Sequence, residues 1–176
     1  MQLPIISTKA AFAQFSETLQ AQGIREALAY LLSLTEYRFI GVFGFGSGMT
    51  YAIAHYDREN PDALDGDSAP DVSGYGDYVR DCKRSFVTAD ATMDERLRKH
   101  PARNSVPAYC GVPVMDPDGA VLGSLCHYDI VPRDPGQIDV ALLQQVTGVL
   151  AQDPALCGGR HPAAAARVAL HKGGAR

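Results

Sequence analysis

Residues Tyr109 to Asp129, YCGVPVMDPDGAVLGSLCHYD, read as two strands joined by a turn, and the rest of the chain is organised around them. Asp116, Pro117, Asp118 and Gly119 carry the turn chemistry: proline presets φ, aspartate bonds nearby backbone, and glycine tolerates positive φ. On either side lie Val112 and Val114, then Val121 and Leu122, β-branched or apolar residues that pack well on a pleated surface. Few polar side chains interrupt them, so both faces of this hairpin are expected to be covered, as in a central strand pair. The flanks hold Tyr109, Cys110, Cys126 and His127. Neighbours 126 and 127 point to opposite faces. A four-residue loop, Asp116 to Gly119, pairs Val114 with Val121 and places Cys110 on the face of His127; an odd loop would place it with Cys126.

The 176 residues suit one domain, with 46% hydrophobic and 20% charged residues as in ordinary globular proteins. A net charge of -4 argues against general affinity for nucleic acid or anionic membrane. No apolar run reaches the roughly 18 residues of a membrane span, and the first residues lack an export-signal pattern. The expectation is a cytoplasmic protein. Its cysteines, Cys82, Cys110, Cys126 and Cys157, show neither C-x-x-C nor zinc-finger spacing, so no metal site is expected and buried or idle thiols are the simplest reading.

Ser7 or Thr8 caps a first helix with Phe12, Phe15 and Leu19 on one face, and Gly23 ends it. A second helix carries Ile24, Leu28, Leu31, Leu32 and Thr35 along one side. Tyr37 to Phe45 alternates as a strand, with Phe39, Gly41, Phe43 and Phe45 on one face and Ile40, Val42 and Gly44 on the other. Met49 to Tyr56 runs back from Gly46-Ser47-Gly48, so GVFGFGSG opens a strand rather than a helix and is not a dinucleotide loop. Asp57 to Gly76 is an acidic loop with Pro61 and Pro70, too irregular for a calcium loop but placed as a lid or binding segment would be. A short helix is expected from Tyr78 to Lys83, a strand from Ser85 to Ala89, and a helix from Thr92 to His100 with Thr92 and Glu95 as a capping box. Asp134 and Pro135 start a last amphipathic helix with Ile138, Leu142, Val146, Val149 and Leu150 on one face. The domain is placed at 1–152, and the Ala/Gly-rich tail 153–176 reads as disordered or partly helical.

Taken together, Tyr109-Cys110-Gly111-Val112-Pro113-Val114, the Asp116–Gly119 turn, Val121-Leu122-Gly123-Ser124-Leu125-Cys126, Tyr128-Asp129 and Pro132-Arg133, with Phe86 to Asp90 and the helical stretch from Thr92 to His100 upstream, resemble a GAF domain, a PAS-like sensory module. The resemblance covers roughly residues 24–152. It implies an α/β (α+β) fold: an antiparallel sheet of five or six strands, terminal helices on one face and a loop-covered pocket on the other. Such domains bind varied small molecules, so fold does not give function.

On that resemblance the expected role is non-catalytic recognition of a small molecule in a sensory or regulatory domain. It would signal through a homodimer built on the terminal helices or through a partner protein, with neither nucleic acid nor membrane involved. The pocket residues expected are Phe43, Phe45, Tyr51, Tyr78, Cys110 and His127, aromatic or polarisable groups on strands or flanking segments. The alternative is a thiol-dependent reductase like the GAF-type free methionine sulfoxide reductases. Their reactive cysteines sit in a glycine-rich loop before the central hairpin, where only Cys82 falls in this chain. A third reading is a ligand-free dimerisation scaffold. No phosphodiesterase-type cyclic-nucleotide motif is present, Asp129-Ile130-Val131-Pro132 only superficially resembles a bilin-site stretch, and His55, His100 and His127 are the in-domain histidines a haem would need. No cofactor is specified.

Overall fold

The computed structural model describes residues 6–46, 48–63 and 69–157. Its central hairpin is β4 (Ala108–Met115) and β5 (Val121–Asp129). Asp116 N–H donates to the Ala120 carbonyl at 2.9 Å and Gly119 N–H to the Asp116 carbonyl at 3.0 Å, while Gly119 takes φ 80°. The unpaired loop is therefore Pro117–Gly119, a three-residue loop ending in a left-handed glycine. This corrects the expected four-residue loop. Met115 pairs with Val121, but Val114 pairs with Gly123, so Leu122 is bulged and the parity shifts by one. The bulge restores what the odd loop would have reversed: Cys110 lies directly opposite His127, and Cys126 opposite Gly111.

Around this pair the sheet has five antiparallel strands in the order β2-β1-β5-β4-β3. They include β1 (Phe39–Gly46), β2 (Met49–Asp57) and the short edge strand β3 (Phe86–Thr88). A second bulge, at Ile53, separates the pairs Val42–Ala54 and Phe43–Ala52. The sheet is held at its β1 and β5 ends by buried Asp129. Its Oδ2 accepts the Arg38 N–H at 2.9 Å and Arg133 Nε–H at 2.7 Å, and its Oδ1 accepts the Ile130 N–H at 2.7 Å. A carboxylate with this many donors closes a strand end that would otherwise fray.

One sheet face carries the helices. In α1 (Thr8–Gln22) Ser7 is the N-cap, accepting from Ala10 N–H at 3.3 Å, and Gly23 closes the helix at φ 93°. Behind it come α2 (Ile24–Ser33) and α4 (Val140–Leu150), whose N-cap is Asp139. Phe15, Leu28, Leu31, Leu32, Leu142, Leu143 and Val146 pack there on Ile40, Val42, Cys110, Val112, Val114 and Leu125. Asp134 and Pro135 start a separate 3-10 turn, Pro135–Gln137, ahead of α4. Beyond the boundary expected near Gln152, α5 (Pro154–Cys157) lays buried Leu156 into this same core. The remaining tail, from residue 158, lies outside the described residues.

The opposite face is covered by α3 (Ser73–Cys82), longer than the helix expected from Tyr78, and by the residues leading into it. The expected helix from Thr92 to His100 does not form. Asp94, not Thr92, caps a 3-10 turn over Glu95–Leu97, and Thr92 instead bonds back to Asp90. The basic residues nearby serve structure: Arg96 pairs with Asp94 and lies over Phe86, and Arg103 donates to the carbonyls of Arg98 and Thr92.

Gly123 sits where β1 and β5 pass closest, and a Cβ there would lie 2.1 Å from the Phe43 carbonyl oxygen. Gly123→Ala is expected to lower the unfolding free energy in urea titration by about 2–3 kcal/mol. Gly148→Ala, on α4 with open space around it, should be neutral or gain up to about 1 kcal/mol. Equal effects at the two positions would contradict this packing.

Candidate ligand-binding site

The β4–β5 register divides the chemically useful side chains between two faces. On the helix face Cys110 and His127 are opposite each other, and both are buried. Neither is activated. Burial pushes the Cys110 thiol up to about 12 and drives the His127 imidazole down to about 3, with the positive charge of Arg58 acting in the same direction. The Leu31 carbonyl favours the protonated ring but stays outside hydrogen-bond geometry; among the described residues neither ring nitrogen has a partner. A thiol and a neutral imidazole form no nucleophilic dyad. The Tyr37 ring meets His127 edge-on, with centroids 6.0 Å apart, and a cavity of about 110 Å³ opens beside His127 between α1, α2 and α4.

On the other face Cys126 is fully buried beside Tyr109, and burial raises its thiol far above the ordinary range. Much of this face is filled by rings. Tyr75 stacks on His100 at 4.4 Å and on Tyr109 at 4.9 Å, while Tyr78 stacks on Phe86 at 4.6 Å. Toward β1 and β2 the filling stops. There a cavity of about 160 Å³ lies between the sheet residues Phe43, Ala52, His55 and Tyr128 and the covering segment Ala69–Val72. His55 Nε2 and the Tyr128 hydroxyl are 2.5 Å apart, and Phe39 stacks on Tyr128 with centroids 5.0 Å apart. Burial lowers the His55 pKa against the pull of Asp57, so its ring is neutral near pH 7. Tyr128 is raised, first by burial and then by coupling to Cys126 and to the carboxylates of Asp57 and Asp71, and keeps its proton. Such a pocket, with aromatic walls and a few convergent polar groups, is what small-molecule sites share.

Of the six residues expected to line one pocket, Phe43 alone lines this cavity. Phe45 packs beside it against Gly76 and Arg80 of α3, and Tyr78 belongs to the ring stack. Tyr51, Cys110 and His127 lie on the helix face. Tyr51 is there because the Ile53 bulge reverses its side: it pairs with Gly44, its ring covers that glycine, and its hydroxyl reaches the Ala155 carbonyl at 3.5 Å. Sequence reasoning missed Ala52, His55, Asp71 and Tyr128. Only the bulged register, which the residues do not display, pairs Gly41 with His55 and so puts His55 on the face of Phe39 and Phe43. Among the described residues, no group of three or more His, Cys, Asp or Glu side chains is arranged to hold a metal ion, and no helix is long and apolar enough to cross a membrane.

Two solution measurements follow from these environments. In the native protein a thiol reagent such as DTNB should modify exposed Cys82 and Cys157 quickly and reach Cys110 and Cys126 only on unfolding; fast reaction at four sites would contradict the burial. His127 takes up a proton near 6.5 in the unfolded chain but only near 3 in the folded one. The unfolded state thus binds more protons between those values, and stability falls on acidification by up to about 1.4 kcal/mol per pH unit. Above pH 6.5 the residue is neutral in both states, so the slope vanishes and stability is at its full value. His127→Gln should flatten the decline of unfolding free energy between pH 6.5 and 4, leaving the smaller slope due to His55; parallel profiles would contradict the assignment.

No protein-family model matches the sequence. A curated relative, the cyclic di-GMP phosphodiesterase PA2567 of Pseudomonas aeruginosa, is 42% identical over 66 residues, which span 35% of this chain and 11% of that protein. The fold is similar to the GAF domain of an Acinetobacter phosphoenolpyruvate-protein phosphotransferase (TM-score 0.63, 13% identity, 93% of this chain and 99% of that one). It is also similar to the free methionine-R-sulfoxide reductase of Neisseria meningitidis in complex with its substrate (TM-score 0.61, 13% identity, 86% and 93%). A phycoerythrobilin-bound GAF domain from a cyanobacterial phytochrome matches with TM-score 0.59 at 13% identity, over 90% and 98% of the two chains. With the five-stranded sheet, the helix layer and the loop-covered opposite face, these likenesses show that the chain has the fold of GAF domains.

Proposed function

We propose that this domain is a non-catalytic receptor for a small molecule, which binds between Phe43, Ala52, His55 and Tyr128 on the sheet and Ala69–Val72 above it, and that occupancy is passed on through a homodimer or a partner protein. The observation that carries the reading is the contrast along one sheet face: rings fill it over β3 and β4, and a walled opening remains over β1 and β2. The side-chain chemistry supports binding rather than turnover. Both thiols of the central hairpin are buried and protonated near pH 7, and Cys110 faces a neutral imidazole. The covering segment also suits a regulated receptor. Residues 69–72 form no regular hydrogen-bonded element and enter α3 directly, so contacts with a ligand there would bear on the helix that roofs the rest of the face.

Thermal-shift screening of nucleotides, amines, amino acids, organic acids and tetrapyrroles tests the proposal. A ligand at a hundred times its dissociation constant should stabilise the protein by about 2.7 kcal/mol and raise its melting temperature by roughly 5–10 °C. Ala52→Leu, which places a larger side chain at the cavity wall, should abolish that shift. A hit insensitive to this substitution, or turnover of a compound that Cys110→Ser or Cys126→Ser eliminates, would contradict the receptor reading.

A further inference from the structure

Granted that the cavity over β1 and β2 is a receptor site, as proposed above, its walls also specify the charge of what enters. Among the described residues Asp71 is the one formally charged side chain lining it, and no lysine or arginine among them does so. The neighbouring arginines are committed elsewhere. Arg38 holds Asp57 through Nε and Nη2, both at 2.9 Å, and Glu59 at 2.7 Å. Arg58 donates to the carbonyls of Leu32 and Thr35 at 2.5 and 2.6 Å, and Arg25 donates to those of Pro61 and Ala63. Arg80 pairs with Asp77 and Asp81, both at 3.0 Å. An incoming phosphate or carboxylate would thus meet a carboxylate with no free counter-charge beside it.

Asp71 itself spends one oxygen locally, its Oδ1 accepting the Ser73 N–H at 2.8 Å. Among the described residues it has no ion-pair partner. Its charge is felt at the cavity floor, where it helps hold the Tyr128 hydroxyl in its protonated form. The other walls include the rings of Phe43, Tyr128 and neutral His55, aromatic groups that favour a cation and contribute no net charge. In sequence, residues 57–76 carry six carboxylates, Asp57, Glu59, Asp62, Asp65, Asp67 and Asp71, against the single cation Arg58.

We infer that the cavity receives a small organic cation, an amine, guanidine or amidine, whose charged end pairs with Asp71 and whose apolar part lies against Phe43 and Tyr128. A volume of about 160 Å³ holds roughly ten water-sized positions, so the ligand is a molecule of about ten non-hydrogen atoms or fewer. Bulky nucleotides and tetrapyrroles do not fit this cavity.

The test is a titration of the isotopically labelled full chain, followed by NMR, with four probes of matched size: n-butylamine, n-butylguanidine, 1-pentanol and pentanoate. At neutral pH and low salt the two cations should produce saturable shifts at Phe43, Ala52, Ala69, Val72 and Tyr128, with affinity at least tenfold above that of the alcohol and the acid. Asp71→Asn keeps an acceptor for the Ser73 N–H; it should weaken the cations by about fivefold, the scale of a rim charge pair, and leave 1-pentanol within twofold. Equal binding of pentanoate or pentanol, or indifference of the cations to Asp71→Asn, overturns the charge assignment while leaving a working receptor cavity. Failure of all four probes to perturb these resonances at tens of millimolar overturns the receptor reading and the charge assignment together.

Discussion

The pairing of Cys110 with His127 across β4 and β5 is the constraint on which the rest of the structure depends. A strand alternates its side chains, so one register assigns every residue of the central hairpin to the helix layer or to the covered face. Here that register results from two irregularities that cancel in parity. The three-residue loop over Pro117–Gly119 alone would have turned Cys110 away from His127, and the bulge at Leu122 turns it back. Ala108, Cys110, Val112 and Val114 then meet α1, α2 and α4, while Tyr109 faces α3. Asp129 fixes the far end of the same hairpin by joining β5 to the start of β1 and to Arg133.

With the register set, the two faces acquire different chemistry. The helix face is a packed apolar layer, and the imidazole and thiol within it are held neutral because burial penalises their charged forms. The covered face is built from rings. Tyrosines and phenylalanines bury large areas yet stack in restricted geometries, and here the stack of Tyr75, Tyr78, Phe86, His100 and Tyr109 extends only over the β3 and β4 side. Beyond it, Ala52 and the small residues Ala69 and Pro70 leave volume that larger side chains would have occupied. The same fold occurs at 13% identity in a phosphotransferase GAF domain, a reductase and a phycoerythrobilin-bound GAF domain. Fold alone therefore does not give function.

Much of this was legible in the residues themselves. The hairpin, the alternation of Phe39 to Phe45, the helices after Ser7 and Gly23, and the separation of Cys126 from His127 follow from periodicities and turn chemistry that sequence displays directly. The site was legible only in part, because bulges leave no comparable trace: nothing in Met49 to Asp57 marks Ile53 as the extra residue. Without it Tyr51 would share a face with Phe43 and Phe45; with it Ala52 takes that side and Tyr51 covers Gly44. The Thr92–Glu95 spacing failed for a related reason. Asp90 captures the Thr92 hydroxyl and N–H, and Asp94 supplies a nearer cap, so a single 3-10 turn forms where a longer helix was expected. Asp71 looked like one carboxylate among many in an acidic stretch until the fold set it against Tyr128 and Phe43.

We propose that the face bearing Phe43, His55 and Tyr128 is the receptor and that the face bearing Cys110 and His127 is core. A crystal structure of the protein grown with its tightest-binding small molecule tests this most directly. Density for that molecule is expected between Phe43, Tyr128 and the Ala69–Val72 segment, with the helix layer undisturbed. Density instead beside His127, among Leu31, Thr35 and Leu142, would contradict it.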